Sequence, residues 1–291
     1  MAFTIKDLEN LTGIKAHTLR IWEQRYSFLT PSRSQTNIRF YSNEELIILL
    51  NISLLNKYGH KISKIDKMST EEIKDKILNL DPVNGTLDAL NNELLKSMIE
   101  IDTRKFEELL QGYINSHGVK NAVINIIYPF LDRIGILWLT ENINPAQEHL
   151  VSNIIRQKIL VGIDTLPWPP PNSKKACLFL PEGEFHELTL LFISYLLRSH
   201  GIEVVYIGSN TPLKDVLEIS KVTCPDFLYT HITTAGKNFN FDKFIANLVN
   251  KFSDTKIYIS GNLSRIYENK IPDSIYFKRS LQEVLSFIET L

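Results

Sequence analysis

Cysteine is almost missing from this sequence. Cys177 and Cys224 are the two in 291 residues, and they form no CxxC pair. Both fall at runs that read as strands, so the expectation is two buried free thiols in a reducing cytoplasm. Long apolar runs are missing as well. The densest stretches, 46–55 and 188–197, are far shorter than a bilayer requires, so no membrane partner is expected. The first residues, Met1-Ala2-Phe3-Thr4-Ile5-Lys6, lack the apolar core and small-residue cleavage site of a secretion signal. Several chemical signatures are absent too. There is no GxGxxG, no GxxxxGK[ST] and no serine nucleophile elbow, and His186-Glu187 is not followed by a second histidine at helical spacing. Dinucleotide, P-loop, hydrolase and zinc-peptidase chemistries therefore find no support.

What is present is ordinary in bulk and uneven in distribution. The hydrophobic share of 44% and charged share of 22% suit a globular chain long enough for two or three domains. Net charge is −1, yet residues 1–68 hold ten Lys/Arg against six Asp/Glu, a surplus of four positive charges. A basic N-terminal module on a mildly acidic body points to a polyanion partner for that module alone.

Residues 1–70 read as a winged helix-turn-helix. Ile5, Leu8 and Leu11 mark one helix face, Thr12-Gly13-Ile14 a tight turn, and 15–26 a second helix with Leu19, Trp22 and Tyr26 inward. The second helix presents Lys15, His17, Thr18 and Arg20 in its N-terminal half, where such helices meet base edges and phosphates. Residues 31–41 read as a polar-tipped hairpin, a wing carrying Arg33, Arg39 and Tyr41 toward the DNA backbone. Ser42 with Glu45 three residues later starts a helix that Gly59 can end, and His60 opens another short one. Ser69-Thr70-Glu71-Glu72 caps a further short helix, and Asp81-Pro82-Val83-Asn84-Gly85 breaks it, marking 71–85 as a linker.

Residues 86–170 carry apolar residues at helical spacing over 87–100, 103–115, 119–139 and 145–166, with Pro129 inside the third segment to kink or split it. Four helices with short connections predict an antiparallel bundle. Read alone, Trp138 is a core residue and Glu148-His149 a surface pair. Pro167-Trp168-Pro169-Pro170-Pro171 is a stiff connector.

Residues 174–291 alternate strand and helix patterns: strands at 176–180, 203–207, 227–232, 256–260 and 275–277, helices at 187–200, 212–221, 240–252 and 281–291. This is the pattern of a flavodoxin-like parallel α/β sheet. The loop Pro181-Glu182-Gly183-Glu184-Phe185-His186-Glu187 falls between the first strand and its helix, at the sheet edge where such folds bind ligands. A histidine flanked by acids rather than glycines favours metal or cofactor chemistry over phosphate cradling. In isolation it also reads as an ordinary loop histidine at a helix start.

Motifs in order along nearly the whole chain carry a resemblance. Leu11-Thr12-Gly13-Ile14, Thr18-Leu19-Arg20-Ile21-Trp22-Glu23, the Arg33 and Arg39-Phe40-Tyr41 wing, and Gly59 with its following helix resemble the MerR winged helix-turn-helix. Gly135-Ile136-Leu137-Trp138, nine residues, then Glu148-His149 resembles the helical cap of cobalamin-binding regulators. Glu184-Phe185-His186-Glu187-Leu188-Thr189 resembles the DxHxxG motif of base-off cobalamin-binding domains, with Thr230-His231-Ile232 and Ser260-Gly261-Asn262 at the positions of its two later motifs. The chain thus resembles MerR-family regulators with a C-terminal cobalamin domain, of the CarH/LitR type.

That resemblance implies a DNA-binding transcriptional regulator, a repressor and photoreceptor in that family, and no enzyme. Adenosylcobalamin would sit between cap and α/β domain. His186 would ligate cobalt from below and Glu184 would hold its imidazole. Trp138, Glu148 and His149 would lie at the upper face, and Thr189, Thr230, Gly261 and Asn262 would flank the nucleotide tail. Arg20 and Arg39 would contact a double-stranded operator, bound by a homodimer or larger homo-oligomer. Three positions depart from the pattern: Thr189 and Asn262 replace glycines, and Leu139 replaces a histidine that captures cobalt after photolysis, leaving His149 as a substitute. The alternatives are a regulator with a degenerate, cofactor-free effector domain and, from another class, a cobalamin-dependent enzyme, for which 291 residues leave no catalytic barrel.

Overall fold

In a computed structural model, the structure describes the backbone of residues 3–34, 37–78, 84–139, 143–234, 239–266 and 272–291. Within these it describes every side chain except those of residues 74, 78, 84, 85, 136–139 and 265. The chain divides into two compact units, Met1–Ile155 and Arg156–Leu291. Of the expected break at 81–85, residues 81–83 lie outside the described residues, and Asn84 and Gly85 instead open a helix.

The first unit opens with the helix-turn-helix. Helix α1 (Ile5–Thr12) starts with a capping box, in which Thr4 accepts from the Asp7 backbone and the Asp7 carboxylate accepts from Thr4. Gly13, at φ 74, ends it in the left-handed conformation that costs glycine nothing. Helix α2 (Ala16–Arg25) buries Leu19 and Trp22, while Tyr26 stacks on Phe28. The wing is a two-stranded antiparallel ribbon, β1 (Ser32–Arg33) with β2 (Arg39–Phe40). Helix α3 (Asn43–Lys57) has the expected Ser42–Glu45 capping box. It ends in a Schellman motif, with Gly59 N–H on the Asn56 carbonyl and His60 N–H on the Leu55 carbonyl. Short helices α4 (Ile62–Ile65) and α5 (Thr70–Leu78) follow.

The helical region holds α6 (Asn84–Ile99), α7 (Thr103–Ala122), α8 (Tyr128–Leu139) and α9 (Pro145–Asp164). Gly118, at φ 78 and ψ 166, breaks α7 where the sequence separates 103–115 from 119–139. Pro129 is accommodated by a single π turn, Val123–Ile127, which ends two residues before it. Proline cannot donate to the carbonyl four residues back, and the widened turn absorbs the missing bond. Helix α9 crosses the boundary between the two units.

The second unit is a five-stranded parallel sheet: β3 (Lys175–Pro181), β4 (Glu203–Thr211), β5 (Phe227–His231), β6 (Lys256–Ser260) and β7 (Ile275–Lys278). Their order across the sheet is β4-β3-β5-β6-β7, the flavodoxin-like arrangement. The order reverses between β3 and β5, which puts the loops after these two strands on either side of the topological switch point. β3 reads as a near-continuous buried run because helices cover both faces of the sheet. Helices α10 (Leu188–Ser199), α11 (Leu213–Thr223), α12 (Phe241–Lys251), α13 (Asn262–Ile266) and α14 (Leu281–Glu289) complete the unit. Phe179, Leu228, Ile232, Phe244, Leu248 and Ile259 anchor its core.

One cysteine expectation needs correction. Cys177 is buried in β3, but Cys224 is exposed and belongs to no strand. It ends α11 at φ 47, a left-handed cap whose N–H returns to the Ser220 carbonyl. Among the described residues no helix is long and apolar enough to cross a membrane.

Candidate functional site

The loop between β3 and α10 is built around one buried acid. Pro181 accepts from the Glu184 N–H at 3.0 Å, and Gly183 sits at φ 81 inside that turn. Asn210, at the end of β4, closes the loop from the other side: its Oδ1 accepts from Gly183 N–H and its own N–H donates to the Glu184 carbonyl, both at 3.0 Å. The turn buries the Glu184 side chain completely.

Glu184 is satisfied from two strands. Oε1 accepts from the His186 N–H at 3.0 Å and lies 2.6 Å from His186 Nδ1. Oε2 accepts from the backbone N–H groups of Thr233 and Thr234, at 2.7 and 2.8 Å, in the loop after β5. Burial alone would raise its pKa, but the His186 ring and the backbone donors outweigh it and hold the carboxyl below its ordinary value. The carboxylate holds the imidazole by Nδ1 and so fixes the orientation of the ring. The His186 side chain is 59% exposed. The Thr234 hydroxyl also lies 3.1 Å from Nδ1. The next residue, Glu187, is pinned by the Tyr206 hydroxyl at 2.9 Å and by Arg156 of α9 at 2.7 Å.

Beneath the loop lies a second polar group. The Ser260 hydroxyl joins the Tyr229 hydroxyl and His231 Nδ1, each at 2.7 Å. Burial pushes the His231 pKa down to about 4, with Glu184 opposing and His186 reinforcing the shift. Thr230 is fully buried, and its Oγ1 has no hydrogen-bond partner among the described residues.

Glu184 and His186 are therefore in direct contact, and Thr230 lies on the adjoining strand, paired with Phe179. Thr189 is half-buried in the first turn of α10, and Asn262 is exposed at the start of α13. Gly261, at φ 109, has a steric reason within the fold. A Cβ there would stand 2.3 Å from the Ile232 carbonyl oxygen, so the glycine makes room for the chain's own backbone. In the first unit, Glu148 accepts from Ser152 Oγ and pairs with His149 Nδ1 at 2.9 Å. Trp138 and Leu139 lie in α8 with side chains outside the described residues. Sequence reasoning missed Thr233, Thr234 and Tyr229, and gave Ser260 no role of its own. It treated His231 as a spacer, although a histidine inside a buried strand was the available signal.

The helix-turn-helix places His17 and Arg20 on the exposed surface of α2, with Thr18 half-buried. Lys15 is exposed and paired with Glu9 at 3.0 Å. Both wing arginines converge on one carboxylate of α2: Arg33 Nη2 is 2.9 Å and Arg39 Nε 2.6 Å from Glu23. Tyr41 needs correction. It is 1% exposed, its backbone pairs with Phe3, and burial raises its hydroxyl pKa to about 12. It packs the root of the wing rather than facing DNA.

A helix-turn-helix with a wing, a helical domain and a flavodoxin-like sheet with a carboxylate-held histidine at its switch point define a DNA-reading module joined to a cofactor-binding type of scaffold. Residues 3–72 match the MerR HTH family regulatory protein, and residues 90–161 match the B12 binding domain. The chain carries a MerR-type helix-turn-helix followed by a B12-binding-type helical domain. It is similar to two proteins of Myxococcus xanthus. One is the HTH-type transcriptional repressor CarA, 28% identical over 73% of this chain and 70% of that protein. The other is the HTH-type transcriptional repressor CarH, 25% identical over 84% of each. Among solved structures, the Methanosarcina barkeri monomethylamine corrinoid protein superposes with a TM-score of 0.56, covering 70% of this chain and 99% of that one at 13% identity. That likeness is one of fold.

Proposed function

We propose that this protein is a DNA-binding transcriptional regulator whose operator affinity is set by a corrinoid held at the Glu184–His186 loop. The observation that carries the reading is the Glu184 carboxylate, fully buried yet hydrogen-bonded by His186, Thr233 and Thr234, which fixes the His186 imidazole by its Nδ1. The MerR-type module, the B12-binding-type helical domain and two relatives named as repressors support the same conclusion.

The donor set suits the group. Among the described residues no cluster of three or more His, Cys, Asp or Glu could hold a bare metal ion. His186 would hold the cobalt of a bound corrinoid, with Glu184 keeping its imidazole in place. The carboxylate behind the ring raises its basicity. The Thr230 hydroxyl, buried without a hydrogen-bond partner among the described residues, is the kind of orphan that a polar ligand group satisfies. When bound, an alkylated corrinoid supplies a light-sensitive cobalt–carbon bond. We assign adenosylcobalamin as the form, light as the stimulus, and Trp138, Glu148 and His149 to the upper face on the sequence resemblance. His17, Thr18 and Arg20 read a duplex from α2, with Lys15, Arg33 and Arg39 on its phosphates. A two-fold operator calls for a homodimer or larger homo-oligomer.

The test is a visible absorption spectrum of protein loaded with adenosylcobalamin, before and after green light. Wild type retains a corrinoid through gel filtration, and His186→Ala loses the lower-ligand signature. A protein that retains no corrinoid sinks the cofactor reading, and a light-insensitive complex removes only the photoreceptor. Arg20→Ala weakens duplex binding without altering the spectrum.

A further inference from the structure

The helix-turn-helix is not tethered loosely to the helical domain. Both lie within the first compact unit, and two residues one turn apart on α6 grip α3. Asn92, 6% exposed, donates to the Leu50 carbonyl at 3.3 Å, in the middle of α3. Asp88 accepts from Lys57 near the end of α3, with the Tyr58 hydroxyl 3.5 Å away. A third helix enters the same seam. Arg133 of α8 donates to Asn92 Oδ1 at 2.6 Å, and burial of this guanidinium lowers its pKa.

The seam reaches the turn that aims the DNA-reading helix. Ser53 of α3 donates to the Thr12 carbonyl at 2.6 Å, and the Thr12 hydroxyl both donates to Leu8 and accepts from Ile14 N–H. Thr12 and Gly13 share the wall of a polar cavity of about 220 Å³ with Ser53, Asp88, Asn92 and Arg133. Well-packed cores leave few voids larger than a water molecule. This seam is held by directional polar contacts around a space, so its partners can shift without emptying a packed core. Lys57 is 63% exposed, so its bridge adds little energy. The Arg133–Asn92–Leu50 chain is the more buried coupling, and losing one member strands the others.

We propose that Arg133 and Asn92 couple α8 to the helix-turn-helix, so that the position of α8 sets the presentation of α2 to DNA. Arg133 shares α8 with Trp138, which rests this inference on the corrinoid reading above. The residues of the seam are separate from those assigned to DNA or corrinoid.

The experiment compares the full-length protein with Arg133→Met and Asn92→Leu. Duplex DNA enriched from a randomised pool by the wild type is titrated with and without adenosylcobalamin in the dark, alongside the corrinoid spectrum. Hydrogen exchange of residues 8–15 is followed without corrinoid. In the variants the spectrum and the corrinoid-free affinity stay as in wild type. The ratio of affinities with and without corrinoid, about 5- to 150-fold for ordinary allosteric coupling, collapses to within about twofold of unity, and exchange at the turn accelerates. Wild-type ratios in both variants overturn the coupling. If wild type binds no corrinoid, the functional reading fails by itself, and hydrogen exchange alone decides the seam: unchanged protection at residues 8–15 overturns it.

Discussion

His231 and Gly261 show how much of the second unit depends on single residues beneath the loop. His231 is kept neutral by burial, with a folded pKa of about 4 against an ordinary 6.5. The unfolded chain therefore binds the extra proton first as pH falls. Stability is fully present above about 6.5 and is lost as pH drops toward 4, by roughly 3 kcal/mol at the lower end. Urea midpoints measured across that range should fall in wild type, and this component should be absent from His231→Asn, which keeps a polar partner for Ser260. Gly261 makes a steric prediction. Ala at Gly13 meets nothing within 4 Å and suffers only the left-handed backbone, about 1 kcal/mol. Ala at Gly261 adds a 2.3 Å collision with a backbone carbonyl and should cost at least about 3 kcal/mol, measured by the same denaturation. A Gly261→Ala protein as stable as Gly13→Ala would show that the Ile232 backbone gives way to the added methyl at no cost. The Glu184–His186 pair was legible because its members are two residues apart. Thr233 and Thr234 were not, because parallel strand register delivers them from distant sequence, and neither their type nor their spacing signals a donor to a buried acid.

At the level of elements, sequence signals worked wherever the cause was local. The Ser42–Glu45 and Ser69–Glu72 boxes, the glycine ends at Gly13 and Gly59, and the interruption near Gly118 all involve bonds within one turn. Ser42→Ala should therefore cost about 1 kcal/mol, read by thermal or urea unfolding of the full chain. A loss below a few tenths would show that packing of Leu46, Leu49 and Leu50 fixes the start of α3 without the cap. Signals failed where tertiary context chose between equivalent readings. Tyr41 ends a polar hairpin and reads as surface, yet its backbone bridge to Phe3 turns the ring inward. Cys224 sits in Val222-Thr223-Cys224, a strand-like run, but the chain must reverse after α11 and Cys224 takes the left-handed turn. Pro129 signalled a disturbance without its form. The π turn follows from the need to carry an apolar helix through the proline, which no local rule distinguishes from a kink.

Over the whole molecule, the sequence divides at its breakers, giving expected limits at 70, 85 and 170, whereas compactness divides at Ile155 and Arg156. Proline and glycine reveal where the chain turns, but not that Asp88 and Asn92 will grip α3 across such a turn. Charge behaves similarly. The N-terminal surplus of four already counts the module's own acids, and the fold decides which cations those acids occupy. Arg33 and Arg39 share Glu23, and Lys15 pairs with Glu9. Arg20 is exposed on α2 and has no ion-pair partner among the described residues. Each phosphate neutralised by a cation contributes about −0.9 to the slope of log K against log salt. Arg20→Ala should therefore flatten that slope by close to this amount, measured by fluorescence anisotropy on a duplex between about 50 and about 200 mM salt. Arg39→Ala should flatten it less, since a phosphate must displace Glu23 before it gains the guanidinium. Glu23→Gln then provides the internal control. Neutralising that carboxylate removes the competitor, so the slope should steepen as both wing arginines become available. An equal loss from Arg20→Ala and Arg39→Ala, with no change in Glu23→Gln, would mean that the wing lets go of Glu23 at no cost when DNA arrives.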